Sequence, residues 1–145
     1  MNINIMNPSH LAYAAQWLAG IFLMALLSLA PPAWAHSNEY LATVKGAHGG
    51  MLRMVEMYHF ELVVKDGEAH VWVTDHGDAP QSTKGAISIL RVINGNDAFS
   101  VYLKPTSSNE LMIKDARIKP RKGTRMVLSV SMNGEASLQT RFSLD

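Results

Sequence analysis

Six histidines, nine methionines and no cysteine define the chemistry open to this chain of 145 residues. Without cysteine there is no disulfide framework, no thiolate nucleophile and no cysteine zinc site. Imidazole and thioether donors remain. They are soft to borderline ligands suited to Cu(I), Ag(I) and related ions, and a thioether, unlike a thiol, cannot be lost to disulfide chemistry. Met51, Met54 and Met57 repeat at every third position just before His59, and His70, Trp72 and His76 follow within twenty residues. No serine–histidine–aspartate arrangement and no glycine-rich phosphate loop is legible. Asp75-His76-Gly77-Asp78 reads as a turn, so the chain is not expected to be an enzyme.

Positioning these donors falls to the stretch Met51 to Pro80. Tyr58, Phe60, Leu62 and Val64 alternate with Met57, His59, Glu61 and Val63, the period of a half-buried strand. Asp66-Gly67 is a two-residue turn signal. With those two as the loop, Lys65 faces Glu68, Val63 faces His70, Glu61 faces Trp72, His59 faces Thr74 and Met57 faces His76. Opposed residues share a face. The apolar set lines the core. The other face carries Met57, His59 and His76 as metal ligands, with Trp72 as a cation–π lid over the ion. His70, at the turn end, has no ligand role in this register. Met54 takes the opposite side from Met51 and Met57 and fills core, unless the methionine triplet itself supplies ligands. A second, Cu(II)-type site is expected from His36 and His48, if His36 is the mature N-terminus with a free amine.

That N-terminus follows from a targeting segment. Trp17 to Ala30 is apolar and uncharged but shorter than the roughly 20 residues of a spanning helix. Pro31-Pro32 and Ala33-Trp34-Ala35 then supply an A-x-A cleavage pattern. Residues 1–35 are read as a signal peptide cleaved after Ala35, with an uncleaved anchor as the alternative because residues 1 to 16 contain no Lys or Arg. Residues 36–145 form one domain, opening with an extended arm over 36–50 that carries an edge strand from Tyr40 to Val44. No integral membrane span remains after cleavage, and the protein is placed in the periplasm. The formal net charge of +1 gives no field that would select nucleic acid.

Beyond the hairpin, Ala86 to Ile93 and Ala98 to Lys104 flank an Asn94-Gly95 turn, and Arg125 to Ser131 and Ser137 to Leu144 flank Asn133-Gly134. No ordinary amphipathic helix follows residue 36. About seven short strands predict an all-β fold, an antiparallel immunoglobulin-like β-sandwich. Phe60, Leu62, Val64, Val71, Val73, Leu90, Val101, Leu103, Leu128, Val130 and Phe142 are its expected core.

Lys114 to Arg125 carries six basic side chains against one acid, Asp115. It reads as a solvated edge that resists strand-to-strand association, or else as the contact surface of an interaction module docking on a periplasmic or membrane partner.

One set of motifs runs through the mature chain: His48-Gly49-Gly50, Tyr58 to Val63, Asp75-His76-Gly77, Lys84-Gly85-Ala86, Leu103 to Pro105 and Arg141-Phe142. It resembles a group of small secreted proteobacterial proteins associated with heavy-metal efflux and resistance. It is also similar to the small domain that some metal-efflux periplasmic adaptors carry before their hairpin. A histidine start on a small β-sandwich is similar to periplasmic copper carriers, whose downstream histidine motif is absent here. The resemblance implies an accessory protein that holds or passes copper or silver, working with an efflux complex or another periplasmic carrier. Cu(I) is the favoured ion, with Cu(II) at the N-terminus and silver or zinc as alternatives.

Overall fold

The computed structural model describes residues 37–145. The 1–35 segment and His36 lie outside the described residues.

Ser37 caps a single helical turn, α1 (Asn38–Leu41), its hydroxyl accepting from the Tyr40 N–H at 3.3 Å. This corrects the extended arm and its Tyr40–Val44 strand, since only a bridge between Lys45 and Met51 pairs this stretch with the sheet. Capping by Ser37 and burial of Leu41 explain the helical turn.

Eight strands follow: β1 (Met51–Val55), β2 (Tyr58–Lys65), β3 (Glu68–Asp75), β4 (Ile87–Asn94), β5 (Asp97–Pro105), β6 (Glu110–Lys114), β7 (Arg125–Ser131) and β8 (Leu138–Ser143). The all-β, antiparallel expectation holds. The strands lie in the order β1-β2-β3-β6-β5-β4-β7-β8, forming one antiparallel sheet instead of the two separate sheets of an immunoglobulin-like sandwich. A two-pair ladder, Lys104–Met112 and Pro105–Leu111, joins its halves. The sheet nearly closes, because β1 and β8 come side by side: Arg53 Nε donates to the Arg141 carbonyl at 3.1 Å.

The additional strand arises within the motif-bearing stretch. Met51 to Lys65 is two strands joined by Glu56-Met57, with Val55 opposite Tyr58. Glu56 holds φ +51° without being glycine, so the turn carries none of the usual hairpin composition. The next hairpin matches its expected register. Lys65–Glu68, Val63–His70, Glu61–Trp72 and His59–Thr74 are all paired, and Gly67 takes φ +79° in the turn.

Alternation then delivers the core. All the expected core positions are buried except Val64, which is partly buried and packs against the rest. Ile118 enters the same core from the β6–β7 connection. That connection is the basic run, and it is stitched to the β2–β3 turn: Gly67 N–H donates to the Ile118 carbonyl and Asp115 N–H to the Gly67 carbonyl, both at 2.9 Å. Lys119 pairs with Asp66 at 3.0 Å and Arg117 with Asp115. These contacts give the run a structural role, although its ion pairs are exposed ones worth little individually.

Candidate metal-binding face

The outer face of β1-β2-β3-β6 gathers all four histidines of the described residues. Its construction starts at Glu61, a carboxylate only 5% exposed. Such a group is costly to bury unless its oxygens are satisfied. Oε1 accepts the backbone N–H groups of His48 and Gly50, each at 2.8 Å, and Oε2 lies 2.8 Å from His48 Nδ1. The loop over residues 45–50 is therefore folded down onto the sheet by one side chain. Gly46 and Gly50 make the approach feasible, because a Cβ at either would overlap the Glu61 side chain.

The loop lays His48 flat on Trp72, with ring centroids 3.8 Å apart and planes 6° from parallel. His70 lies nearly parallel to the same indole at 5.5 Å and 10°. Its Nδ1 is 2.7 Å from Glu110 Oε1, while Glu110 Oε2 accepts from the Thr106 hydroxyl, also at 2.7 Å. Burial acts to raise the Glu110 carboxyl, but the hydrogen bonds from His70 and Thr106, with the pull of the His70 and His48 rings when protonated, outweigh it and hold the group below its ordinary value. Two histidines on this face thus share one device. A carboxylate can only accept, so the neutral ring keeps its proton on Nδ1 and presents Nε2 as a lone pair.

His59 and His76 form a second group. His59 is buried in β2, with Nδ1 3.5 Å from Asp78 Oδ1, and its ring meets His76 edge-on at 5.3 Å. His76 is exposed in the turn after β3. Its Nε2 is 2.9 Å from the Glu56 carbonyl. A carbonyl only accepts, so Nε2 carries the proton and the neutral ring leaves Nδ1 for a ligand. The turn itself is organised as expected for Asp75-His76-Gly77-Asp78: Asp75 Oδ1 accepts from the N–H groups of Gly77 and Ala79, at 2.8 and 3.0 Å.

Three expectations need correction. Met57 does not face His76: the β2–β3 ladder ends at Tyr58–Asp75, and Met57 sits in the Glu56-Met57 turn, 64% exposed. Met54, expected in the core, is directly opposite His59 and so belongs to its face. The unrecognised turn at Glu56 explains both, since a chain reversal resets the alternation. Trp72 is not an open lid, because His48 already covers one of its faces. His36 lies outside the described residues, so its pairing with His48 has no geometry here.

Reasoning from the sequence missed Glu61 and Glu110 as the groups that orient the histidines. The first had a usable signal: an acid at a sheet-face position of β2, preceded by three glycines in residues 46–50. Beside His48 and Trp72 the loop leaves a cleft of ≈ 280 Å³ reaching Thr74 and Asp78. Among the described residues, no group of three or more His, Asp or Glu side chains is gathered as a hard or borderline ion requires. The side chains brought together are imidazole–carboxylate pairs, His48–Glu61 and His70–Glu110, and the His59–His76 pair, with Met54 and Met112 opposite His59 and His70 in the strand ladders. Comparison with known protein families, with curated proteins and with solved structures gives no match.

Proposed function

We propose that this protein is a periplasmic metal-binding accessory protein, delivered by a cleaved signal peptide over residues 1–35, which holds or passes a soft ion of the copper or silver type. The observation that carries the reading is the orientation of His48 and His70. Each has its Nδ1 held by a carboxylate, Glu61 or Glu110, which leaves Nε2 for a metal on a face that also carries Met54, His59, His76 and Trp72. Carboxylate–imidazole pairs of this kind fix the tautomer and raise ligand basicity in metal sites.

The donor set argues for Cu(I) or Ag(I). Both accept two or three soft ligands, whereas hard divalent ions need more oxygen donors than any grouping on this face supplies. The first site is assigned to His59 and His76 with Met54 in place of Met57. The cleft beside His48 and Trp72 reaches Asp78, whose Oδ1 is 3.5 Å from His59 Nδ1, and His36 with His48 stays the candidate Cu(II)-type site at the mature N-terminus. A metal-efflux complex or a second carrier would receive the ion. The rival reading, docking through the basic run, is weakened because Arg117 and Lys119 are already paired within the chain.

The test is competition with a Cu(I) chelator, alongside metal analysis of protein purified from the periplasm in a non-coordinating buffer. His76→Ala and Met54→Leu should each lose at least about tenfold in affinity, within the range for removing a partner in a metal site. Met57→Leu should compete like the wild type. Metal-free protein that never competes with the chelator overturns the reading.

A further inference from the structure

Directly across the β3–β6 ladder, His70 is opposed to Met112. The two therefore share the outer face, with Cβ atoms about 4.5–5.5 Å apart for such a pair. His70 is anchored from behind by a chain of two hydrogen bonds, Thr106 Oγ1 to Glu110 Oε2 and His70 Nδ1 to Glu110 Oε1, both 2.7 Å. Its Nε2 is 3.7 Å from Glu68 Oε1, too long for a hydrogen bond. An imidazole with its far nitrogen fixed and its near nitrogen unsatisfied by that carboxylate, beside a half-buried thioether, is a preorganised pair of soft donors.

We propose that His70 Nε2 and Met112 Sδ form a second binding site for a monovalent soft ion, Cu(I) or Ag(I), with Glu68 at its rim. This rests on the soft-metal reading above and adds to it a site separate from His59 and His76, at a histidine to which the sequence pattern gave no ligand role. Charge around the pair supports a monovalent ion. Lys104 is opposite Met112 and Lys114 opposite Glu68, so the two lysines offset the formal charges of Glu68 and Glu110. No net negative field remains to draw a divalent cation, and retention depends on coordination to nitrogen and sulfur. Trp72, in parallel-plane contact with His70, is an optical reporter within the same assembly.

The experiment is an Ag(I) titration of protein recovered from cells producing the full chain, observed through ¹³C-labelled methionine methyl groups. Silver is a redox-inert stand-in for Cu(I). The Met112 methyl should shift with one equivalent of Ag(I), and the Met54 methyl with another. Met112→Leu, which conserves volume, and His70→Ala should each abolish one equivalent while the Met54 shift persists. In Glu110→Gln the carboxamide offers Nε2–H to His70 Nδ1, moving the ring proton to the ligand nitrogen. Affinity at Met112 should then drop about 10–100-fold with the fold intact. A Met112 methyl that never moves while Met54 responds overturns the second site and leaves the metal reading standing. So does a Met112 shift that survives in His70→Ala. Failure of any methionine methyl to respond, with no silver retained, overturns both.

Discussion

Glu61 makes three hydrogen bonds, and each has a separable consequence. Two go to backbone N–H groups that hold the loop, and one goes to His48 Nδ1 and sets its tautomer. Glu61→Gln retains an oxygen for the backbone donors but presents an amide N–H to His48, so the ring should switch tautomer without the loop lifting. The expected outcome is a changed His48 ring-nitrogen pattern by NMR with little change in melting. Glu61→Ala leaves two N–H groups without their acceptor and should cost about 2–6 kcal/mol, at about 1–3 kcal/mol per stranded donor. Gly46→Ala drives a methyl into the Glu61 carboxyl and should cost about 1–3 kcal/mol as the loop is displaced, with Trp72 fluorescence reporting loss of the His48 stack. Glu110 adds a pH dependence. Its carboxyl titrates lower in the folded protein than the ordinary value of 4.5, so the unfolded chain binds its proton first as pH falls. Its contribution is therefore complete above that value and lost as pH drops through the lowered folded one. Urea unfolding from pH 7 to 3 should show the gap between wild type and Glu110→Gln closing at the acid end. A gap that is constant with pH would contradict this assignment.

At the scale of elements, the exposed side of β1 is managed by α1. The Asn38 side chain imitates a strand: Oδ1 accepts from Met54 N–H at 2.7 Å and Nδ2 donates to the Met54 carbonyl at 3.0 Å. One carboxamide thereby occupies both backbone groups that a neighbouring strand would use, which is a direct way of blocking edge association. Asn38→Ala should cost about 1–3 kcal/mol for two hydrogen bonds at about 0.5–1.5 kcal/mol each, and it should raise the fraction of dimer in sedimentation runs. A monomer at all concentrations would mean that the Asn38 contact does not govern association. On the inner side, Leu62 of β2 is fully buried. Leu62→Ala should cost about 2–5 kcal/mol. A loss below about 0.5 kcal/mol, the level of an ordinary surface substitution, would mean that the alternation of the whole hairpin is inverted, and the metal-binding face with it.

For the molecule as a whole, closure depends on side chains where β1 meets β8. Arg53 donates to the Arg141 carbonyl, and its guanidinium lies 5.6 Å from the centre of the buried Phe142 ring. Arg53→Ala removes both contacts. It should speed amide exchange in β1 and β8 while leaving β4 and β7 protected, since local opening follows the weakest seam. The proposed route to the periplasm makes a separate demand: N-terminal sequencing of the exported protein should begin His-Ser-Asn, and recovery of the uncleaved chain in membranes would contradict it.

The sequence by itself determined the all-β class, the core side chains and the register of the β2–β3 hairpin. Alternation and an Asp-Gly turn are local signals, and burial of one face makes a slip by one residue costly. Tertiary structure decided the rest. The Glu56-Met57 reversal carries no turn composition, so the side on which Met54 and Met57 fall was invisible to periodicity. The β3–β6 pairing that opposes His70 to Met112 joins residues about forty positions apart, and no local pattern encodes such a neighbour. The closing of strands into one sheet depends on β3–β6 and β4–β7 contacts of the same kind. The histidines were legible as donors because residue type alone gives imidazole chemistry. Which nitrogen each presents was settled only where the fold brought Glu61 and Glu110 within hydrogen-bond reach, because a tautomer is fixed by the partner on the other side of the ring.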